Sequence, residues 1–168
     1  QSLTVTGSHT LANVTIGGNY YWDTLTIASG TTLTATGTLS FAGTYAAQPV
    51  TINTGTLEAK GNVTVSSVGA TGTATLLIDG TGAQTLTGGG TGSYLPVLNI
   101  NKPSGTLTLS GTIRTDRNWT YTAGTLDPGT STVKFFTNVS QSLTVTGSHT
   151  LANVTIGGAW YTDTLTIA

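Results

Sequence analysis

The sequence predicts an all-β protein, a parallel right-handed β-helix (β-solenoid) of short strands, with β-sandwich repeats as the alternative. Three observations carry this expectation: period-two alternation of apolar and polar residues in nearly every segment, turn residues between those segments, and the return of residues 1–28 at 141–168. The two copies read QSLTVTGSHTLANVTIGGNYYWDTLTIA and QSLTVTGSHTLANVTIGGAWYTDTLTIA, so only positions 19, 20 and 22 change across an offset of 140. A near-identical return at a fixed distance is the signature of repeat architecture.

The strands follow in order. Leu3 and Val5 alternate with Thr4 and Thr6, Val14 and Ile16 flank Thr15, and Leu25 and Ile27 alternate with Thr24 and Thr26. Residues two apart share one face of a strand, so each short run offers a single apolar face. The pattern continues through Leu33/Ala35, Leu39/Phe41, Val50/Ile52, Leu57/Ala59 and Val63/Val65, then Leu107/Leu109, Trp119/Tyr121 and Val133/Phe135. Between the runs stand Gly17-Gly18, Ser29-Gly30, Gly61-Asn62, Asp79-Gly80, Gly88-Gly89-Gly90, Lys102-Pro103-Ser104-Gly105 and Asp127-Pro128-Gly129, all read as turns. No stretch keeps helical periodicity beyond a turn or two.

Strand starts about 6 to 11 residues apart suit a sandwich and a solenoid equally. The repeat separates them. A sandwich repeat is a self-contained domain of about 100 residues with a linker, whereas residues 137–141, TNVSQ, run through the boundary with no Pro-rich or charged linker. The expected organisation is one full repeat over 1–140, of about six or seven coils with about 20–23 residues each, and the start of the next repeat over 141–168, continuous with the first. At ~4.8 Å per coil one repeat advances about 30 Å. The rod would be three-faced, with Leu, Val, Ile and Phe stacked inside and Thr ladders outside. Neither end of the sequence carries a polar cap, and alignment of Ala168 with Ala28 and of Gln1 with Gln141 predicts SGTTLTATG beyond the first join and Ser before the second.

Composition bounds the function. The chain is 37% hydrophobic and 7% charged, against about 25% charged in an ordinary domain. Its 40 Thr and 23 Gly fill more than a third of the 168 residues; Thr favours strands and Gly punctuates them. With a net charge of −1 and five basic residues placed singly, Lys60, Lys102, Arg114, Arg117 and Lys134, there is no electrostatic footprint for nucleic acid. Cysteine is absent, which rules out disulfides and thiolate zinc sites. No apolar run approaches the ~20 residues of a membrane-spanning helix, so no membrane insertion is expected of this segment, and it contains no signal peptide.

The runs NVTI, TLTIASGTTLTATGTLSF, GTLEAKGNVTVSS, LLIDGTGAQTLTGGGTG and TLTLSGTIRTDRNWTYTAGTLDPGTSTVKF resemble, over the whole chain, the Thr/Gly-rich tandem repeats of bacterial β-helical surface proteins and large exoproteins. The resemblance implies secretion, an extracellular or cell-surface place, and a role as adhesin, stalk or fibre; it carries no catalytic positions. The expected function is therefore structural, a repeat segment of a β-solenoid fibre, filament or cell-surface stalk that assembles by coil stacking. Its expected partners are copies of itself, end to end or laterally. The alternative is an adhesin that binds glycans through aromatic turns, and an ice-binding protein stands third. No enzyme, cofactor or metal is expected.

Each candidate site has a plainer reading beside it. The six acids Asp23, Glu58, Asp79, Asp116, Asp127 and Asp163 are where sugar-cleaving chemistry would be sought, because it needs converging carboxylates. Asp79-Gly80 and Asp127-Pro128-Gly129 instead read as turns, and Glu58 with Lys60 as an exposed pair; Asp116 and Asp127 meeting in one groove would favour catalysis. His9 and His149 share a repeat position, lie one period apart and cannot share a metal, so each is expected as a lone surface histidine. Gly88-Gly89-Gly90-Thr91-Gly92 lacks the Asp of a calcium repeat and the Lys-Ser/Thr and helix of a phosphate loop. Asn-x-Ser/Thr occurs at Asn13, Asn62, Asn118, Asn138 and Asn153; Asn13, Asn62 and Asn153 introduce Val-Thr and are expected to bond their own backbone in turns rather than to carry glycans. Thr-x-Thr pairs at 4/6, 24/26, 34/36, 85/87, 106/108 and 120/122 are the ice-binding signal, weakened by their wandering spacing. The copies diverge where Asn19-Tyr20-Tyr21-Trp22 becomes Ala159-Trp160-Tyr161-Thr162. Tyr20, Tyr21, Trp22, Trp160 and Tyr161 thus form the candidate interaction turn, suited to stacking on sugars or on a neighbouring rod.

Overall fold

The computed structural model describes residues 1–17, 23–43, 50–66, 69–89, 94–136, 142–157 and 164–168. They hold strands and no helix. The chain winds into a three-faced β-solenoid of about six turns in which every ladder is parallel, which excludes the sandwich alternative.

The first coil is β1 (Ser2–Val5), β2 (His9–Leu11) and β3 (Val14–Ile16), and the second is β4 (Thr24–Ile27), β5 (Thr32–Ala35) and β6 (Leu39–Phe41). The third is β7 (Val50–Asn53), β8 (Thr56–Ala59) and β9 (Val63–Val65); the fourth is β10 (Ala70–Thr71), β11 (Thr75–Ile78) and β12 (Gln84–Gly88). Next come β13 (Tyr94–Leu95), β14 (Val97–Thr115) and β15 (Trp119–Asp127), which carry the fifth and sixth coils around their corners. Last are β16 (Thr132–Phe135), β17 (Ser142–Thr146), β18 (Asn153–Ile156) and β19 (Thr164–Ile167). Face A stacks β1, β4, β7 and β10, then β13, the end of β14, β16 and β18. Face B stacks β2, β5, β8, β11, β14, β15, β17 and β19, and face C stacks β3, β6, β9, β12, β14 and β15.

Parallel register places like on like. On face B the inward row reads Leu33, Leu57, Leu76, Leu98, Trp119, Val145, and on face C it reads Val14, Leu39, Val63, Leu86, Leu109. These rows fill one continuous core. Partners in adjacent coils lie from 19 residues apart (Leu57↔Leu76) to 27 (Thr24↔Thr51), wider than the expected 20–23, because the corners vary in length while the strands hold register.

The expected turn at Lys102-Pro103-Ser104-Gly105 is a corner inside β14 rather than a break in it. Ladder pairing to β15 shifts register between Ile100 and Thr106, and Gly105 and Gly111 each take φ of +72°. That left-handed conformation is open to glycine at little steric penalty, so the chain rounds two corners while neighbouring corners still hydrogen-bond.

The second copy of the repeat does not occupy the face of the first. Ser2–Val5 lies on face A and pairs with Thr24–Ile27, whereas Ser142–Val145 lies on face B and pairs with Thr164–Ile167 in the identical register. Val14–Ile16 lies on face C, and its counterpart Val154–Ile156 on face A. The sequence period is therefore six coils plus one face.

Truncation should separate the middle of the rod from its end. Leu86→Ala, at a fully buried site, is expected to lower the unfolding free energy by about 2–5 kcal/mol, and Leu3→Ala, at a site 64% exposed, to stay within about 0.5 kcal/mol of the parent. Denaturant unfolding of both variants measures this.

Candidate functional site

The candidate interaction turn, Tyr20, Tyr21, Trp22, Trp160 and Tyr161, lies outside the described residues, as do Asp163 and Asn138. The flanking strands are described: Val14–Ile16 stands on face C and Thr24–Ile27 on face A, Asn153–Ile156 on face A and Thr164–Ile167 on face B.

The carboxylates are held locally. Asp127 Oδ1 accepts the Gly129 N–H at 3.0 Å, the expected turn. Asp116 sits 3.4 Å from Arg117 at the corner between faces A and B, while Asp127 closes the face C strand, so the two stand at different corners. Burial pushes the Asp116 carboxyl above the ordinary range, and the Arg117 charge only partly offsets it.

Glu58 and Lys60 are more than an exposed pair. Lys60 Nζ lies 2.7 Å from Glu58 Oε1 and 2.7 Å from Asp79 Oδ2 in the next coil, and Thr34 Oγ1 of the preceding coil donates to Glu58 Oε2 at 2.6 Å. Three coils are thereby tied along face B and the corner that follows it. Partial burial raises Glu58, but the hydrogen bonds from Lys60 and Thr34, with the Lys60 charge, hold it below its usual range. Burial and the neighbouring Glu58 hold Asp79 above its own, despite its bond to Lys60. Asp79 is thus an ion-pair member and not only a turn residue.

Lys102, read from sequence as a turn residue, is 1% exposed. Its Nζ donates to Gly80 O (2.5 Å), Gly82 O (2.9 Å) and Gln84 Oε1 (2.6 Å). Gln84, also buried, passes its own Nε2 protons to Ala59 O at 3.0 Å and Gly61 O at 2.6 Å. Three ammonium protons meet three acceptors, so the buried charge is satisfied, and a polar spine crosses the third, fourth and fifth coils inside the corner. Burial nonetheless lowers the Lys102 pKa, with the Asp79 charge opposing the shift. Only the three-dimensional closeness of corners reveals this site.

The asparagines also bond between coils rather than within their own turns. Asn13, Asn62 and Asn118 Oδ1 accept the N–H of Thr38, Thr85 and Thr144 at 2.8, 2.9 and 3.0 Å, and Asn153 Nδ2 donates to Ser131 O at 3.0 Å. The Thr-x-Thr pairs are spread two to each face, and the outward row of face B reads Thr10, Thr34, Glu58, Leu77, Asn99, Thr120, Thr146.

The two ends of the rod carry the exposed large apolar side chains of the described residues: Leu3 and Leu11 at one end, Val154, Ile156 and Ile167 at the other. Each has a sequence twin 140 positions away that is covered. Leu3 is 64% exposed and Leu143 2%; Ile167 is 71% exposed and Ile27 0%; Val154 and Ile156 are about half exposed while Val14 and Ile16 are buried. Leu11 is exposed and Leu151 packs against the core. The histidines divide the same way. His9 is exposed, as expected. His149 is not a lone surface residue: its ring stacks on Trp119 (centroids 6.1 Å apart, planes 10° apart) and on Tyr121 (5.0 Å, 29°). Trp119 itself is fully buried and meets Phe135 edge-on at 6.2 Å.

Lys102→Met takes the donor from three acceptors, of which Gly80 O and Gln84 Oε1 are buried, and the unfolding free energy at neutral pH is expected to fall by about 1–3 kcal/mol. Because burial holds Lys102 below 10.5 in the folded chain, folded protein sheds this proton before unfolded protein does. Stability of the parent should therefore rise as pH climbs from below the folded pKa toward 10.5. The Met variant should lose that rise; Lys60, held above 10.5, acts above the window and with the opposite sign. Denaturation across pH 7–11 reads both effects.

Compared with protein-family models, with curated proteins and with solved structures, the chain matches none.

Proposed function

We propose that this chain is a repeat segment of an extracellular or cell-surface β-solenoid fibre, filament or stalk, whose work is mechanical and whose partners are further copies of itself. The observation that carries this reading is the pairing of exposed and buried twins. Every large apolar side chain exposed among the described residues has a counterpart with the same local sequence that is covered when a coil stacks on it. Contiguous exposed apolar surface marks a place where something else packs, and here the packing material is the repeat itself.

Energetics support the same role. Each coil adds a ring of backbone hydrogen bonds and a layer of core side chains, and in such quasi-linear proteins the contributions add along the axis. Burial of one Leu, Val or Ile stabilises by roughly 1.5–3 kcal/mol. The ties through Lys60 and Lys102 run between coils, along the direction in which a fibre is pulled. A surface of hydroxyls with 7% charged residues lets rods approach without strong mutual repulsion.

Concatenation tests the reading. Chains of two, three and four copies of residues 1–140 are expected to give single rods in electron micrographs, each copy adding about 30 Å of length at ~4.8 Å per coil. Beads of compact particles on flexible joints would overturn it.

A further inference from the structure

The structure already shows what covers the upstream side of this repeat when something is there. In the second copy, Val145 and Thr146 pair with Trp119 and Thr120, and Asn153–Ile156 pair with Thr132–Phe135. Side chains reinforce the ladder: the Thr144 N–H donates to Asn118 Oδ1, Asn153 Nδ2 donates to Ser131 O, and the Gly157 N–H donates to Phe135 O at 2.9 Å. Trp119 and Tyr121 hold the His149 ring. The first copy has the same residues at Thr4, Val5, Thr6, His9, Asn13–Ile16 and Gly17, and β1, β2 and β3 are the outermost strands of their ladders. Leu3 and His9 stand exposed there, and Leu143 and His149 are covered or half-covered.

We infer that the first coil is an open joint whose occupant is the Asn118–Phe135 stretch of a preceding copy of this repeat in the same chain. Its tryptophan and tyrosine hold the His9 imidazole as Trp119 and Tyr121 hold His149. Its Thr-Val-Lys-Phe strand pairs with Asn13–Ile16, and its asparagine caps the Thr4 N–H. The joint sets the incoming coil one face out of step with the copy it meets. This assignment rests on the rod reading and deepens it by naming the residues that make the join. Ring contacts of this kind depend on relative orientation as well as on the area they bury, so the histidine fixes which coil fits as well as how tightly.

The chain has two histidines, which makes the joint visible by proton NMR. In the 168-residue chain the His9 ring signals should sit near their solvent-exposed positions, and those of His149 should be displaced upfield by the rings stacked on it; Trp119→Ala should return the His149 signals downfield and leave His9 unmoved. Residues 112–140 are then placed before Gln1, joined as residue 140 is joined to 141. In that extended chain the His9 signals are expected to move upfield to join those of His149, and exchange of the Thr4 and Gly17 amides to slow by roughly tenfold or more. Changing the tryptophan of the added stretch to alanine should reverse the His9 shift. His9 signals unmoved in the extended chain, with Thr4 and Gly17 exchanging as before, overturn the joint. Upfield movement of His9 in the unextended chain as its concentration is raised would show a separate molecule as occupant and overturn the same-chain assignment. The rod reading fails separately: concatenated copies that form rods with His9 exposed sink the joint alone, and concatenated copies that form beads sink the rod.

Discussion

Parallel pairing of each coil with the next is the constraint from which the rest of this structure follows. A ladder of N–H···O=C bonds fixes neighbouring coils at ~4.8 Å, and at that spacing every side chain lies directly over its counterpart. Leu33, Leu57, Leu76 and Leu98 stack because their backbones do. Mismatched insertions are pushed into the corners, where chain length between partners ranges from 19 to 27 residues. The same spacing explains the unusual placement of charge. A carboxylate at one level finds its cation at the next, as Asp79 finds Lys60, and a lysine that turns inward at a corner reaches the carbonyls of the coil before it, as Lys102 reaches Gly80 and Gly82.

Much of this was legible in the residues themselves. Alternation at Leu25/Ile27, Leu39/Phe41 and Val63/Val65 marks strands whose inward members are all buried, because a period of two has only one way to present an apolar face. Ser29-Gly30, Gly61-Asn62 and Asp79-Gly80 marked corners between strands, but a corner here need not interrupt pairing, which is why Lys102–Gly105 lies inside a 19-residue strand. What stayed hidden depends on which coil lies over which. Nothing local distinguishes Lys102 from a surface turn lysine, or His149 from His9, since the surrounding sequences are the same. Asn13 and Asn62 look like residues that serve their own turn, and the donors they meet lie 25 and 23 residues away.

The near-identical copies make the chain its own control. Residues 2–5 and 142–145 pair with the strand 22 positions onward in the same register, so local sequence sets which strands meet. Burial does not follow sequence in this way: Leu3 and Leu143 share their neighbours and differ from 64% to 2% exposure. Stability of such a segment therefore depends on the stack, because each coil contributes a term of its own and a further one for each neighbour it pairs with.

The one-face offset between copies has a consequence for sideways contact. Strands that stand on face A in one copy stand on face B in the next, and three such steps return to the start. A rod continued on this rule is a screw: a neighbour lying along one side meets a given residue only at every third copy, and the copies between turn that residue toward other directions. Identical repeats would thus give a rod with no preferred flank, able to meet neighbours all round while remaining a single chain.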